Sequence, residues 1–175
     1  MTTNDKDIIY AMREDAERGF LLLMQSYKEP LYWHIRRLVV SHADAQDAAQ
    51  EAFIRIFRSF SQYNEANSLR AWLFRIATNE ALRLIERRCQ ATMPIDSVFD
   101  IQADSYTDYS DLEAVRLQKA ILSLPPKQQL AFNLRYYDEM DYEEIAQIAD
   151  TTAASVKASY HVAKEKIIKF MTQND

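Results

Sequence analysis

Glycine occurs once in this chain of 175 residues, at Gly19. That scarcity restricts the fold more than any other feature of the sequence. Tight β-turns, bulges and phosphate-binding loops use glycine for its freedom at positive φ. Helices do without it, and a glycine inside one costs roughly 0.5–1 kcal/mol relative to alanine. An all-α fold is therefore the first expectation. Hydrophobic residues make up 48% of the chain, enough for packed cores, so disorder along the whole length is not expected.

Apolar spacing then locates the helices. Thr3 to Val40 is helical in pattern, with Phe20, Leu23, Met24, Tyr27 and Leu31 recurring at three- and four-residue steps. Pro30 marks a first turn or a kink. Ser41 has the character of an N-cap, with Asp44 three residues on. A long helix follows from Ala43 to Phe60, with an apolar stripe of Ala49, Phe53, Ile56, Phe57 and Phe60 and a polar side of Asp44, Asp47, Gln50, Glu51 and Arg55. Ser61 to Asn67 is a polar interruption. Ser68 can cap a helix from Leu69 to about Arg88. Its apolar residues are Leu69, Trp72, Leu73, Ile76, Ala77, Leu82 and Ile85. Its other face carries Arg70, Arg75, Arg83, Arg87 and Arg88 against Glu80 and Glu86.

Beyond this helix the character changes. Gln90 to Asp111 contains no Lys or Arg, and Asp96, Asp100, Asp104, Asp108 and Asp111 are spread through it. Helical periodicity is lost there, as expected of an acidic, flexible linker between two small helical domains. The expected division is 1–89, a linker at 90–110, and 111–175. Ser110 and Glu113 have capping-box spacing and open the next helix. Leu124-Pro125-Pro126 ends it, because proline disfavours helix in the residue before it. Pro126 suits the first turn of a helix over Lys127 to about Tyr137. Asp141 and Glu144 start a short helix, Asp150 and Thr151 form a tight turn, and Thr152 caps a last helix to about Phe170.

A short helix, a tight turn and a second helix make a helix-turn-helix unit, although the frequent turn glycine is missing. In such units the N-terminal half of the second helix reaches base edges in the major groove. Thr152, Ser155, Lys157, Ser159 and His161 occupy that half, and Lys164 continues a basic side. On periodicity alone, a plain helical hairpin solvated by lysines is the alternative.

Longer stretches carry a family resemblance. Leu124-Pro125-Pro126-Lys127-Gln128-Gln129, Phe132-Asn133-Leu134-Arg135-Tyr136-Tyr137, Tyr142-Glu143-Glu144-Ile145-Ala146 and Ser155-Val156-Lys157 closely resemble region 4 of the extracytoplasmic-function (ECF) sigma factors. Asp44-Ala45-Gln46-Asp47-Ala48-Ala49-Gln50-Glu51-Ala52-Phe53 and Ala71-Trp72-Leu73-Phe74-Arg75-Ile76-Ala77-Thr78-Asn79 resemble region 2 of the same family. The blocks stand in the family's order and cover most of the chain.

The resemblance implies an all-α, two-domain subunit that gives core RNA polymerase its promoter choice. It implies contact with the clamp helices of the largest subunit, and with the flap. Asp44, Asp47, Gln50, Glu51, Ile54 and Phe57 are the implied polymerase-binding residues, with a solvated helix face as the alternative, for Asp44 above all. Tyr63, Asn64 and Asn67 match the loop that holds the melted −10 element, and capture of an unstacked base needs aromatic or polar pockets. Arg70, Arg75, Asn79, Arg83, Arg87 and Arg88 would follow the phosphates. Trp72, placed among Leu69, Leu73 and Ile76, is assigned to the core. Thr152, Ser155, Lys157, Ala158, Ser159, His161 and Lys164 would face the −35 element. The linker matches a segment that passes near the polymerase active-site channel; a solvated tether is the alternative. The resemblance also implies an anti-sigma protein, which could hold an otherwise cytoplasmic chain at the membrane. Ser159 and Val162 stand where the family often has Arg, and Ala154 where Gly is common, so base contacts do not carry over there.

Other classes of function find little support. His34, His42 and His161 lack metal-ligand spacing, Cys89 is the sole cysteine, and there is no phosphate loop. No catalytic residue, metal or cofactor is expected, nor a small-molecule substrate. No signal peptide and no membrane-length apolar run are expected. The remaining rival is a helix-turn-helix regulator that acts without joining polymerase. A formal net charge of −5 argues against a free-standing DNA binder, because phosphate neutralisation supplies non-specific affinity. Promoter affinity is expected only in complex with polymerase.

Overall fold

The computed structural model describes residues 4–90 and 111–173. The chain divides into two compact units, Met1–Val98 and Phe99–Asp175. Among the described residues all regular structure is helical. Ser110 and, apart from Gln90, the expected acidic linker at 90–110 lie outside the described residues.

The first unit contains α1 (Asp5–Glu14), α2 (Ala16–Val39), α3 (His42–Ser59), a 3-10 turn (Phe60–Gln62) and α4 (Leu69–Gln90). The single helical pattern from Thr3 to Val40 is broken at Asp15. Its side chain accepts from the backbone N–H groups of Glu17 and Arg18 and so caps α2. Pro30 lies inside α2, which continues through it. Ser41 caps α3 through the Asp44 N–H, and Ser68 accepts from the Ala71 N–H at the start of α4. Helix α2 packs on α1, α3 and α4, and α3 packs on α4. Leu23, Leu31, Ile35, Ile56, Leu73 and Phe74 fill the space between them. Leu82, assigned to the apolar face of α4, is instead 40% exposed.

The sole glycine sits where α1 and α2 cross. A Cβ at Gly19 would overlap the Met12 backbone and lie 2.6 Å from the Ala11 carbonyl carbon. Among the described residues, positive φ occurs instead at Val40, Glu139 and Asp150. Gly19 therefore serves close helix approach, not a turn.

The second unit contains α5 (Leu112–Leu122), α6 (Pro126–Tyr136), α7 (Tyr142–Ala149) and α8 (Ala153–Thr172). Asp111 caps α5, one residue beyond the Ser110 expected from capping-box spacing, through the Glu113 and Ala114 N–H groups. Pro126 opens α6 and Asp141 caps α7 through the Glu144 N–H at 2.8 Å. Asp150 closes α7 at φ 54°, and the Thr151 N–H returns to the Ala146 carbonyl at 3.1 Å. Asp tolerates this left-handed position better than most residues, which is how the turn dispenses with glycine. Thr152 caps α8 through the Ser155 N–H. Helix α8 packs on α5, α6 and α7. Ala120, Ile121, Leu124, Phe132, Ala163 and Ile167 form a core cluster.

Candidate functional site

Three surfaces carry the residues singled out by sequence. On α3, Asp47, Gln50, Glu51, Ile54 and Phe57 are all exposed and recur at helical spacing. Ile54 is 37% exposed and Phe57 43%, so the stripe joins acidic and amide groups to an apolar end. Phe57 meets Phe20 of α2 edge-on, with ring centroids 5.1 Å apart.

Asp44 does not belong to this stripe. It is buried at 4% exposure, and its carboxylate pairs with Arg88 of α4. Burial raises its carboxyl above the ordinary carboxylate value; Arg88 opposes the rise and Asp47 adds to it. Its helix position, one turn inside the cap, turns it toward α4. Its charge is paired within the unit.

On α4, Arg75, Asn79, Arg83 and Arg87 follow one another at four-residue steps and are exposed, while Arg70 is half-buried. Glu80, expected on the arginine face, is buried at 3%. Its Oε1 receives Arg55 Nε of α3 at 2.5 Å and Arg83 Nη1 at 2.6 Å. A cleft of about 410 Å³ lies above this pair, lined by Glu51, Arg55, Glu80, Arg83, Glu86 and Arg87. Arg83 and Arg88 thus each combine a half-exposed guanidinium with a buried carboxylate. The i, i+3 spacing of Glu80 and Arg83 was legible in the sequence; the approach of Arg55 was not.

Between these helices lies the Tyr63–Asn67 loop. Asn64 and Asn67 are exposed. Tyr63 is buried at 8%, with its ring 5.7 Å from Phe60 and 5.2 Å from Trp72. Its hydroxyl donates to the Asn67 carbonyl at 2.6 Å. Burial raises that hydroxyl above the ordinary tyrosine value; Glu65 and Asp5 add to the rise and Arg13 opposes it. A ring so enclosed cannot serve as a stacking platform for an extruded base. Trp72 is half-buried at the edge of the same aromatic group.

On α8, Thr152, Ser155, Lys157, Ala158, His161 and Lys164 are exposed, and Ser159 is half-buried. Val156, Ala163 and Ile167 point inward. The outward face near the helix start is therefore short side chains, with Lys157, His161 and Lys164 along one side at i, i+4 and i+7. Ala154 and Val162, where the family often has other residues, are also exposed.

Two buried polar residues escaped the sequence reading. His34 Nε2 lies 2.7 Å from Thr78 Oγ1, which itself donates to the Phe74 carbonyl. Nε2 must therefore carry the proton, and Nδ1 is buried without a partner among the described residues. Burial, and secondarily Arg37, lower the His34 pKa to about 3. Asn133 of α6 is 1% exposed, and neither its amide nitrogen nor its oxygen has a partner among the described residues. No clustering of His, Cys, Asp and Glu able to hold a metal occurs among the described residues, and no helix there is long and apolar enough to cross a membrane.

Comparison with known proteins matches this division. Residues 23–89 fit the family model of Sigma-70 region 2, and residues 114–167 that of Sigma-70, region 4. The chain is 26% identical to the RNA polymerase sigma-H factor of Pseudomonas aeruginosa, over 94% of this chain and 92% of that protein. It is 27% identical to the ECF RNA polymerase sigma factor SigW of Bacillus subtilis, over 94% and 95%. It is 29% identical to the ECF RNA polymerase sigma-E factor of Escherichia coli K12, over 93% and 92%. Among solved structures it resembles CnrH in complex with the cytosolic domain of CnrY, at TM-score 0.77 and 18% identity over 98% of this chain and 99% of that one. It also resembles the sigma factor RpoE in complex with the anti-sigma factor NepR from Bartonella quintana, at TM-score 0.70 and 21% identity over 93% and 99%. With both family regions present in order and relatives matched along nearly their whole length, the chain belongs to the ECF sigma factors of the sigma-70 family.

Proposed function

We propose that this chain binds core RNA polymerase and directs it to promoters carrying particular −10 and −35 elements, with no catalysis of its own. The observation that carries the proposal is the pairing, within one unit, of a partner-type stripe on α3 with a series of arginines on α4. An exposed apolar end flanked by acidic and amide groups suits a basic helical partner, the clamp helices of the largest subunit. The contacts assigned there are Asp47, Gln50, Glu51, Ile54 and Phe57. The α4 arginines and the Asn64 and Asn67 amides are assigned to the opened −10 element. Thr152, Ser155, Lys157, Ala158, His161 and Lys164 are assigned to the −35 element, with the second unit near the flap. The domain limits 1–89, 90–110 and 111–175 are part of the proposal.

Reconstitution is the test. Purified core polymerase with this chain should start transcription at defined promoters, and the chain alone should bind the same DNA weakly. A chain that fails to bind core polymerase yet binds specific DNA alone would favour the rival regulator. Control by an anti-sigma protein is a second proposal, favoured by the two structural neighbours, both of which are complexes with a second protein. It would place the chain in the cytoplasm, held at the membrane when its inhibitor is anchored there. Purification from unstressed cells without any such partner would count against it.

A further inference from the structure

The loop before α4 is closed on itself by a buried side chain. Tyr63 is buried among Phe60 and Trp72, and its hydroxyl spans the loop to the Asn67 carbonyl at 2.6 Å. A buried tyrosine hydroxyl requires a partner, so ring burial and loop geometry are linked. Within the span, the Asn67 N–H donates to the Asn64 carbonyl at 3.0 Å and the Ala66 N–H to Asn64 Oδ1 at 3.0 Å. From outside, Glu65 pairs with Arg13 of α1. Helix α1 is itself held down where Tyr27 donates its hydroxyl to Asp5 at 2.7 Å and where Gly19 meets the Met12 backbone.

We propose that Tyr63 is a positioning residue for base capture: by holding the Asn67 carbonyl, its hydroxyl sets the backbone from which Asn64 and Asn67 meet an unpaired base. The proposal rests on the assignment of this loop to the −10 element. Groups that read a base must be held within about 0.5 Å of the productive geometry, and the surrounding contacts do the holding. Tyr63 meets that need because its ring cannot shift without opening the aromatic group around it. A loop ordered before binding also avoids the entropy cost of ordering it at the promoter. Arg13, on a helix that precedes the matched region 2 segment, supports the same loop from solvent.

Tyr63→Phe keeps the ring and removes only the bond. Holoenzyme reconstituted from core polymerase and the full chain would be tested for promoter opening by permanganate reactivity. The promoter set would vary every −10 position. Expected is unchanged core binding and a loss of stability in the N-terminal unit no larger than one hydrogen bond, about 1 kcal/mol. Opening should fall by about five-fold, the scale of one lost hydrogen bond, and the spread between preferred and disfavoured bases at one position should narrow. Wild-type opening and base spread in Tyr63→Phe would overturn the proposal, as would a loss confined to protein stability. Asn64→Ala and Asn67→Ala separate the two levels. If they alter base spread and Tyr63→Phe does not, positioning fails and the loop assignment stands. If none of the three alters it, the loop assignment fails and the proposal with it.

Discussion

On α4, Arg83 and Arg88 each reach a buried carboxylate, Glu80 and Asp44 respectively. On α8, Lys157, His161 and Lys164 stand exposed on a helix whose buried residues are Val156, Ala163 and Ile167. In the N-terminal unit Arg88 thus both holds α4 against α3, through Asp44, and belongs to the candidate binding surface, while Arg83 pairs within α4. The C-terminal unit keeps the two tasks on opposite faces of one helix. Substitutions in the first unit should therefore mix stability with binding. Substitutions on α8 should separate them. Because the chain has two units, stability is best followed unit by unit, for example by amide hydrogen exchange.

The largest expected effect tests the packing side of the comparison alone. Gly19→Ala should destabilise the N-terminal unit by at least about 3 kcal/mol, the upper end of overpacking costs, because backbone and not a flexible side chain meets the new methyl. Exchange in the C-terminal unit should not change. Arg88→Ala comes next. It leaves the buried Asp44 carboxylate without its guanidinium, and should cost the N-terminal unit about 1–3 kcal/mol besides any effect on promoter opening. Arg88→Ala with wild-type stability would break the claim that this arginine has two tasks.

Acid should distinguish the units as well. His34 is held neutral when folded, with its pKa lowered to about 3, against about 6.5 when unfolded. Its contribution is complete above pH 6.5. Below that the unfolded chain takes up a proton that the folded chain refuses, so stability falls by up to about 1.4 kcal/mol per pH unit until pH 3. His34→Leu should flatten this part of the pH profile of the N-terminal unit. In the C-terminal unit, Asn133→Leu should add about 1 kcal/mol, since it removes a buried amide without partners. The smallest stability effect is expected for Lys157→Ala, within about 0.5 kcal/mol, with a clear loss of −35 recognition and intact core binding. Loss of core binding in that variant would mean that α8 is not the separable face described here.

Much of this was legible beforehand. The caps Ser41, Ser68, Asp141 and Thr152 are local hydrogen-bond choices, made between residues three apart, so sequence spacing reveals them. The exposed stripe on α3 follows from helical periodicity for the same reason. The burial of Asp44 and Glu80 was not legible, because each lies at the border of an apolar stripe. There the rotation of the helix by a few tens of degrees decides between solvent and a neighbouring helix. The burial of Tyr63 depends on how its loop folds onto Phe60 and Trp72.

The scarcity of glycine pointed to helices, because a chain with so few residues suited to positive φ makes few of the tight turns that sheets need. Yet the sequence could not say why one glycine remained at position 19. Only the crossing of α1 and α2 explains it, since a backbone-to-backbone contact depends on where two helices meet in space and leaves no pattern along the chain. The pairing of Arg55 and Arg83 on one buried carboxylate has the same origin: helical spacing sets which residues share a face, and tertiary packing decides which faces share a charge.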